Sequence, residues 1–182
     1  MAPPLWLYRL VKRAFPLGAH LARLARLPLV HGVVDRLLFE GDQIYFVPPD
    51  EVVPPPGPRR VLRVDRSIDV PDDVVLPSAL VAKFVRRASH RWIMKECICR
   101  ASEHCTDYPV DLGCLFLGDA TQGIDPRMGV EVDEAEALAH LERCREAGLV
   151  HLIGRNKIDT LWLGVGPGDR LLTICHCCPC CC

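Results

Sequence analysis

The sequence predicts an α+β fold: a small winged-helix-like helix–hairpin unit with a cysteine-rich end, preceded by an amphipathic N-terminal helix. Three observations support this. A helix-like segment at residues 133–147 is followed by apolar runs at residues 149–153, 160–163 and 171–174. Six of the chain's eleven cysteines fall in its last eight residues. At residues 5–28, basic side chains interrupt an apolar stretch at helical spacing.

The helix over residues 133–147 is predicted from both of its ends. Asp133-Glu134-Ala135-Glu136 resembles a capping box, which satisfies free amide groups at a helix start. Gly148 is the kind of residue that ends a helix. The runs at residues 149–153 and 160–163, joined by a polar loop, predict a hairpin that packs on this helix.

The N-terminal helix is predicted over residues 5–28, with Pro16 expected to break or kink it. The first 36 residues contain six Lys or Arg residues and one acidic residue, Asp35. Such a helix can pack on its own domain or on a partner subunit, or it can lie on a membrane surface. Short strand pieces are predicted within residues 37–47, around a turn at Gly41.

Composition divides the chain into an N-terminal segment of helix and short strands, a linker and a cysteine-rich domain, at residues 1–47, 48–60 and 61–182. The linker is predicted from six prolines within eleven residues, which favour a stiff, extended chain. In the third part, residues 61–64 predict a strand, and Ser78 is a candidate N-cap for a helix over residues 79–86.

Length and charge exclude several classes of protein. The chain has 182 residues, 49% of them apolar, which is enough for a domain with a core. Its net charge of −1 argues against a nucleic-acid partner, because the chain cannot neutralise a polyanion. We find no secretory signal and no apolar run of about 20 residues. These features predict a cytoplasmic protein that could associate with a membrane through its basic N-terminal helix.

Ten of the eleven cysteines form two groups in the sequence. In a cytoplasmic protein such groups are more often metal or redox sites than disulfides. The C-x2-C-x2-C spacing of Cys175, Cys178 and Cys181 lets a loop curl so that its sulfur atoms reach one metal ion or one iron–sulfur cluster. The candidate metal ligands are Cys97, Cys99, Cys105, Cys114, Cys175, Cys177, Cys178, Cys180, Cys181 and Cys182.

Residues near the cysteines in the sequence also carry groups suited to this chemistry. Arg100 directly follows Cys99 and is the candidate cofactor-binding residue, because its charge would lower the pKa of nearby thiols and balance a thiolate-ligated cluster. His104 and His176 could replace a thiolate as ligand, but hydrogen bonding or exposure to solvent is the favoured interpretation. Among the other histidines, His90, His140 and His151 are predicted to be structural, and Cys144 is predicted to be a small core residue.

The number of thiols favours iron–sulfur chemistry. Two four-iron clusters need eight thiolates and one needs four, so ten grouped thiols fit one or two 4Fe-4S clusters. A single structural zinc ion would leave six thiols unexplained. Thiolate-rich sites also suit cuprous copper and zinc, so the cysteine pattern leaves the metal open.

Four stretches carry a resemblance to a known family: CICR at residues 97–100, CTDYPVDLGCLFLG at 105–118, EAGLVH at 146–151 and ICHCCPCC at 174–181. Together they resemble bacterial and archaeal ferredoxin-type 4Fe-4S proteins over about residues 75–182. The resemblance implies iron–sulfur binding and electron transfer, and it implies no substrate. Many members of that family continue into a two-cluster ferredoxin segment, whereas this chain stops at Cys182.

The leading hypothesis is therefore a 4Fe-4S protein that transfers electrons within a larger redox system and needs at least one redox partner protein. The first alternative is a zinc- or copper-binding protein with a structural or metal-handling role. The second is an enzyme subunit whose cluster reduces thiols or disulfides, which the surplus of thiols suggests. Whether the protein is an enzyme stays open at this point.

Overall fold

A computed structural model describes residues 5–17, 32–34, 36, 41–47 and 77–181. Several predictions lie wholly or partly outside these residues. They are the second half of the N-terminal helix, the strand piece before Gly41, the linker over residues 48–60, the strand over residues 61–64 and the ligand Cys182.

The fold is built around an antiparallel sheet. Its strands are β1 (Gln43–Val47), β2 (Arg91–Met94), β3 (Leu115–Leu117), β4 (Gly129–Glu131), β5 (Val150–Arg155) and β6 (Leu172–Cys177). Within the described part of the chain they form one six-stranded sheet in the order β1-β5-β6-β3-β2-β4, with every neighbouring pair antiparallel. The predicted α+β class is confirmed.

Helices cover both faces of this sheet. They are α1 (Leu5–Ala14), α2 (Pro77–Arg87), α3 (Ile98–Ser102), α4 (Glu134–Glu146) and α5 (Lys157–Leu163). Short 3-10 turns are formed by Phe15–Leu17, Asp119–Gly123 and Gly168–Arg170. Side chains of α1, α3 and α5 pack on one face, and side chains of α2 and α4 pack on the other.

Alternation along the strands divides the core into two halves. In β3, Phe116 points to the side that we call the first face, and Leu115 and Leu117 point to the second face. All three side chains are buried. On β6 the same alternation sends Cys175 to the first face and Ile174 to the second, so the cysteine strand contributes to both halves of the core.

Helix α4 has the ends that the sequence predicts. The Asp133 side chain accepts a hydrogen bond from the Glu136 amide at 2.8 Å, and the Glu136 side chain accepts one from the Asp133 amide at 3.3 Å. The helix ends at Glu146, and Gly148 follows with φ +74°. The capping box and the glycine stop are thus both confirmed.

The predicted hairpin is wrong, because residues 160–163 belong to helix α5. Asn156 caps this helix by accepting a hydrogen bond from the Ile158 amide at 2.8 Å, and Gly164 ends it in the left-handed conformation. A short apolar run such as Leu161-Trp162-Leu163 fits a strand or a buried helix equally well. Strand β5 pairs instead with β1 and β6, so the winged-helix-like layout is not the observed arrangement.

Helix α1 ends at Ala14 and passes into a 3-10 turn that contains Pro16, so the predicted break is confirmed. Leu5, Tyr8 and Val11 are partly buried against the first face. The centre of the Tyr8 ring lies 5.9 Å from that of Trp162. The described part of this helix therefore packs on its own domain.

Candidate metal centre

The pairing of β3 with β6 brings two cysteines of the separate sequence groups together. Leu115 on β3 is the register partner of Ile174 on β6. Because the strands are antiparallel, the residue before Leu115, Cys114, lies opposite the residue after Ile174, Cys175. The Cys114 sulfur donates a hydrogen bond to the Cys175 sulfur at 3.8 Å. We call these two residues the buried thiol pair, since Cys114 is buried and Cys175 packs against the first-face core.

Just beyond β6, a second set of thiols lies at the surface. Cys105, Cys178, Cys180 and Cys181 have sulfur atoms that all lie within 4.8 Å of one another. The Cys180 sulfur is 3.7 Å from that of Cys105, 3.5 Å from that of Cys178 and 3.4 Å from that of Cys181. Cys178 is buried and Cys180 is exposed, so this surface thiol group reaches from the core to solvent.

Arg100 holds the cysteine-bearing segments against each other. Its side chain is fully buried, and it donates hydrogen bonds to the carbonyl oxygens of Pro109 at 2.8 Å, His176 at 2.6 Å and Leu112. Its own carbonyl oxygen accepts a hydrogen bond from the Cys105 amide at 2.9 Å. The guanidinium thus ties α3 and the loop after Cys105 to β6, in a fork geometry that arginine is suited to provide.

Hydrogen bonds favour a thiolate at one member of the surface thiol group. Burial acts to raise the pKa of Cys105, but hydrogen bonds from Cys181 and from the backbone of Tyr108 and Asp107 outweigh it and lower the pKa. The pKa of Cys181 is raised, first by burial and then by its hydrogen bonds with Cys180 and Cys105. A lowered pKa favours the thiolate form of Cys105, and the thiolate is the form that binds a metal ion.

Burial and neighbouring negative charge favour the protonated form of both members of the buried thiol pair. The pKa of Cys114 is raised well above its ordinary value by its hydrogen bond with Cys175, by burial and by the neighbouring charges of Cys175, Cys97 and Asp159. The pKa of Cys175 is raised too: the hydrogen bond from Cys114 acts to lower it, but burial and the charges of Asp159 and Cys177 outweigh that effect. A bound cation would reverse this preference by stabilising both thiolates.

The surface thiol group fits a metal site. Thiolates around one tetrahedral ion, with metal–sulfur distances of about 2.3 Å, stand about 3.8 Å apart, close to the separations between Cys180 and its neighbours. A four-iron cluster places its thiolates on four different irons and therefore holds them further apart. The described residues can therefore hold a metal, and the distances do not specify a cluster.

The structure distributes the other predicted ligands around the buried thiol pair. Cys97 is buried just before α3, where its amide donates to the Val110 carbonyl oxygen at 2.7 Å. Cys99 packs against the same half of the core as Cys114, and Cys177 ends β6 two residues after Cys175. The predicted ligands thus separate into a surface set and a set near the pair, with Cys182 outside the described residues.

Sequence reasoning missed a further group with ligand chemistry on the second face. His140 and Cys144 of α4 and His176 of β6 are all buried, and each offers one ligand atom within 4.8 Å of the others. His140 and Cys144 were predicted to be structural, yet their i, i+4 spacing puts them on one side of a helix. That spacing was the signal available in the sequence, whereas the approach of His176 depends on the packing of α4 against the sheet.

Comparisons with protein-family models, with curated proteins and with solved structures found no match to this chain. Among the described residues, no helix is both long enough and apolar enough to cross a membrane.

Proposed function

We propose that this protein binds iron through its cysteine thiolates and transfers electrons, with the surface thiol group and the buried thiol pair contributing to two 4Fe-4S sites. The observation that supports this proposal is the convergence of two distant cysteine segments into two neighbouring thiol sets. One structural ion accounts for four of these thiols, whereas two clusters use eight. Cys97, Cys99 and Cys177 are the candidates that complete the second set.

Exposure suggests a division of roles between the two sites. Cys180 is exposed, so electrons would pass between the surface site and a redox partner protein there. Cys114 and Cys97 are buried, which shields the second site from water and oxidants. A bound cluster supplies reversible one-electron chemistry, and the chain holds the thiolates and sets their surroundings.

Arg100 supports a site that carries negative charge. A buried cation is costly unless negative charge lies nearby. Thiolates at a site that holds a cluster would provide that charge. The guanidinium would in turn favour the reduced state of the cluster, which is the more negative one. The predicted role of Arg100 as a charge-balancing residue therefore stands as part of this proposal, beside its hydrogen bonds to the backbone.

A second candidate function is structural zinc binding at the surface thiol group. The separations of 3.5 and 3.7 Å from the Cys180 sulfur to its neighbours favour it, because they match a single tetrahedral ion. In that case Cys105 would be joined to the end of β6 by the ion, and the chain would carry no redox centre at this position.

The test is to purify the full chain without oxygen and to count iron, acid-labile sulfide and zinc on the same sample. We expect about 8 irons and about 8 sulfides for each chain and an EPR signal that appears on reduction with dithionite. About 4 irons would limit the protein to one cluster. A colourless protein with one zinc ion would reject electron transfer and support the structural alternative.

A matched pair of variants links the metal to the residues. Cys178→Ser should remove the surface site and reduce the iron content by about half, because Cys178 is a buried member of that group. Thr106→Ala is the control, since Thr106 is exposed beside Cys105 and its hydroxyl bonds to Asp107. If both variants keep the full iron content, the ligand assignment is wrong.

A further inference from the structure

A buried group of two imidazoles and one thiol lies on the second face of the sheet, opposite the face to which Cys175 points. His140, Cys144 and His176 have exposed fractions of 1%, 0% and 2%. The Cys144 sulfur is 3.7 Å from Nε2 of His140, and the rings of His140 and His176 meet edge to face with centres 5.0 Å apart. Helix α4 and strand β6 thus bring together three side chains that are common metal ligands.

One atom of this group is unexplained by the protein itself. Nδ1 of His176 lies 2.9 Å from Nδ1 of His151, its cross-strand neighbour on β5. Nε2 of His176 is buried and has no hydrogen-bond partner among the described residues. Buried polar atoms almost always have a partner. A buried imidazole nitrogen without a hydrogen-bond partner, in a group with another imidazole and a thiol, points to a ligand.

We propose that His140, Cys144 and His176 bind a cuprous ion. Imidazole and thiolate donors both suit copper, and the cuprous ion is selected by soft thiolates. Structural zinc is almost always four-coordinate, whereas this closed group offers three side-chain donors. On binding, the Cys144 thiol loses its proton to solvent, a copper–sulfur bond forms, and copper stays in the same oxidation state.

Charge balance favours a monovalent ion over a divalent one. One thiolate and one cuprous ion make a neutral unit in a place that excludes water. Arg100 already contributes a positive charge, since its guanidinium donates to the His176 carbonyl oxygen at 2.6 Å. A divalent ion would leave a second uncompensated positive charge close to the first.

The Gly113 carbonyl oxygen lies at the edge of the same group, 2.8 Å from Nε2 of His140. Coordination through this nitrogen moves its proton to Nδ1 and leaves the carbonyl oxygen beside the ion. Two imidazoles and one thiolate with a weak backbone oxygen ligand are a donor set known for copper.

The experiment reads out histidine nitrogens, so that copper bound by cysteines does not interfere. The full chain with ¹⁵N-labelled histidine is titrated with cuprous ion without oxygen, and the imidazole ¹⁵N resonances are followed. We expect the resonances of His140 and His176 to shift to those of metal-bound imidazole. His90, which contacts Glu131 at 2.7 Å, is the internal control and should not shift.

Two variants and a second ion make the result decisive. Cys144→Ser should abolish the shifts and lower the bound copper by one equivalent, and His140→Asn should do the same for the His176 resonance. Amide spectra of both variants establish that the fold is kept. The proposal is overturned if copper binds while both histidines stay unchanged, if Cys144→Ser keeps the shifts, or if zinc and not copper produces them. Since these variants leave the surface thiol group intact, its iron content is tested separately.

Discussion

The sulfur atoms of Cys114 and Cys175 lie 3.8 Å apart because β3 and β6 pair with Leu115 opposite Ile174. The two cysteines are 61 positions apart in the chain. Any metal bound there would therefore stabilise the centre of the sheet as well as the site, since it would bind the folded chain and not the unfolded one. The contact between the two thiols therefore depends on the pairing of β3 with β6.

We expect Gly113→Ala to destabilise the protein by about 1–3 kcal/mol through overpacking. A Cβ atom at this position would meet the Met94 carbonyl oxygen and the Met94 side chain, 2.7 Å away at its Cβ. The carbonyl of Gly113 also faces His140. The measurement is urea unfolding of the metal-free chain, with Gly32→Ala as control, because a Cβ there meets nothing within 4 Å. Equal stability of the two variants would contradict the tight contact at Gly113.

We expect Arg100→Met to lower the free energy of unfolding by at least about 3 kcal/mol, because buried carbonyl oxygens that lose their donor cost about 1–3 kcal/mol each. Those of Pro109 and His176 are among the acceptors. Arg100→Lys should restore less than half, since an ammonium cannot reproduce the fork. Chemical unfolding measures both variants. Arg145→Met is the control, because the Arg145 side chain is 53% exposed. An equally large decrease in the free energy of unfolding of that variant would contradict the stabilising role of the Arg100 hydrogen bonds.

Stability should fall between about pH 4 and pH 2 through the carboxyl of Asp125. Side-chain hydrogen bonds from Arg127 are the largest cause that lowers its pKa, from 3.8 to about 2. A lowered pKa means that the unfolded chain takes up the proton first, so the stabilisation is present above pH 3.8 and is lost as pH falls towards 2. The difference in melting temperature between the protein and Asp125→Asn should shrink steadily from pH 4 to pH 2. Asp169→Asn gives the effect of removing an exposed carboxylate, and a difference that stays constant over this range would contradict the assignment.

Helix α1 should loosen when Glu96 loses its charge. This carboxylate accepts hydrogen bonds from Tyr8 and Lys12, both at 2.6 Å, and lies beside Cys97. Burial acts to raise its pKa, but the hydrogen bonds from Lys12 and Tyr8 outweigh it and lower the pKa. We expect Glu96→Gln to weaken the docking of α1 by about 1 kcal/mol. We expect amide hydrogen exchange in α1 to be faster in Glu96→Gln than in the unmodified protein. The control is Glu103→Gln, at an exposed position, which should leave the exchange in α1 unchanged.

Local signals predicted the elements that local interactions hold. The capping box at Asp133 and the stop at Gly148 are contacts between residues close in the chain, so they could be read directly. Asn156 and Gly164 are signals of the same kind for helix α5, but the apolar run at residues 160–163 fits a strand as well as a helix, and burial of Trp162 against the first face favours the helix. The side chain of Asp159 contributes by accepting hydrogen bonds from Trp162 at 3.0 Å and Thr173 at 2.8 Å.

The sequence by itself determined the chemistry: ten grouped thiols, a predicted preference for metal over disulfides, and an arginine among them. Only the tertiary structure decided which thiols meet, since Cys105 joins Cys178, Cys180 and Cys181 whereas Cys114 meets Cys175. The same holds for the approach of His176 to α4. The physical reason is that strand register and helix packing over long chain separations set these distances, and spacing along the chain does not encode either.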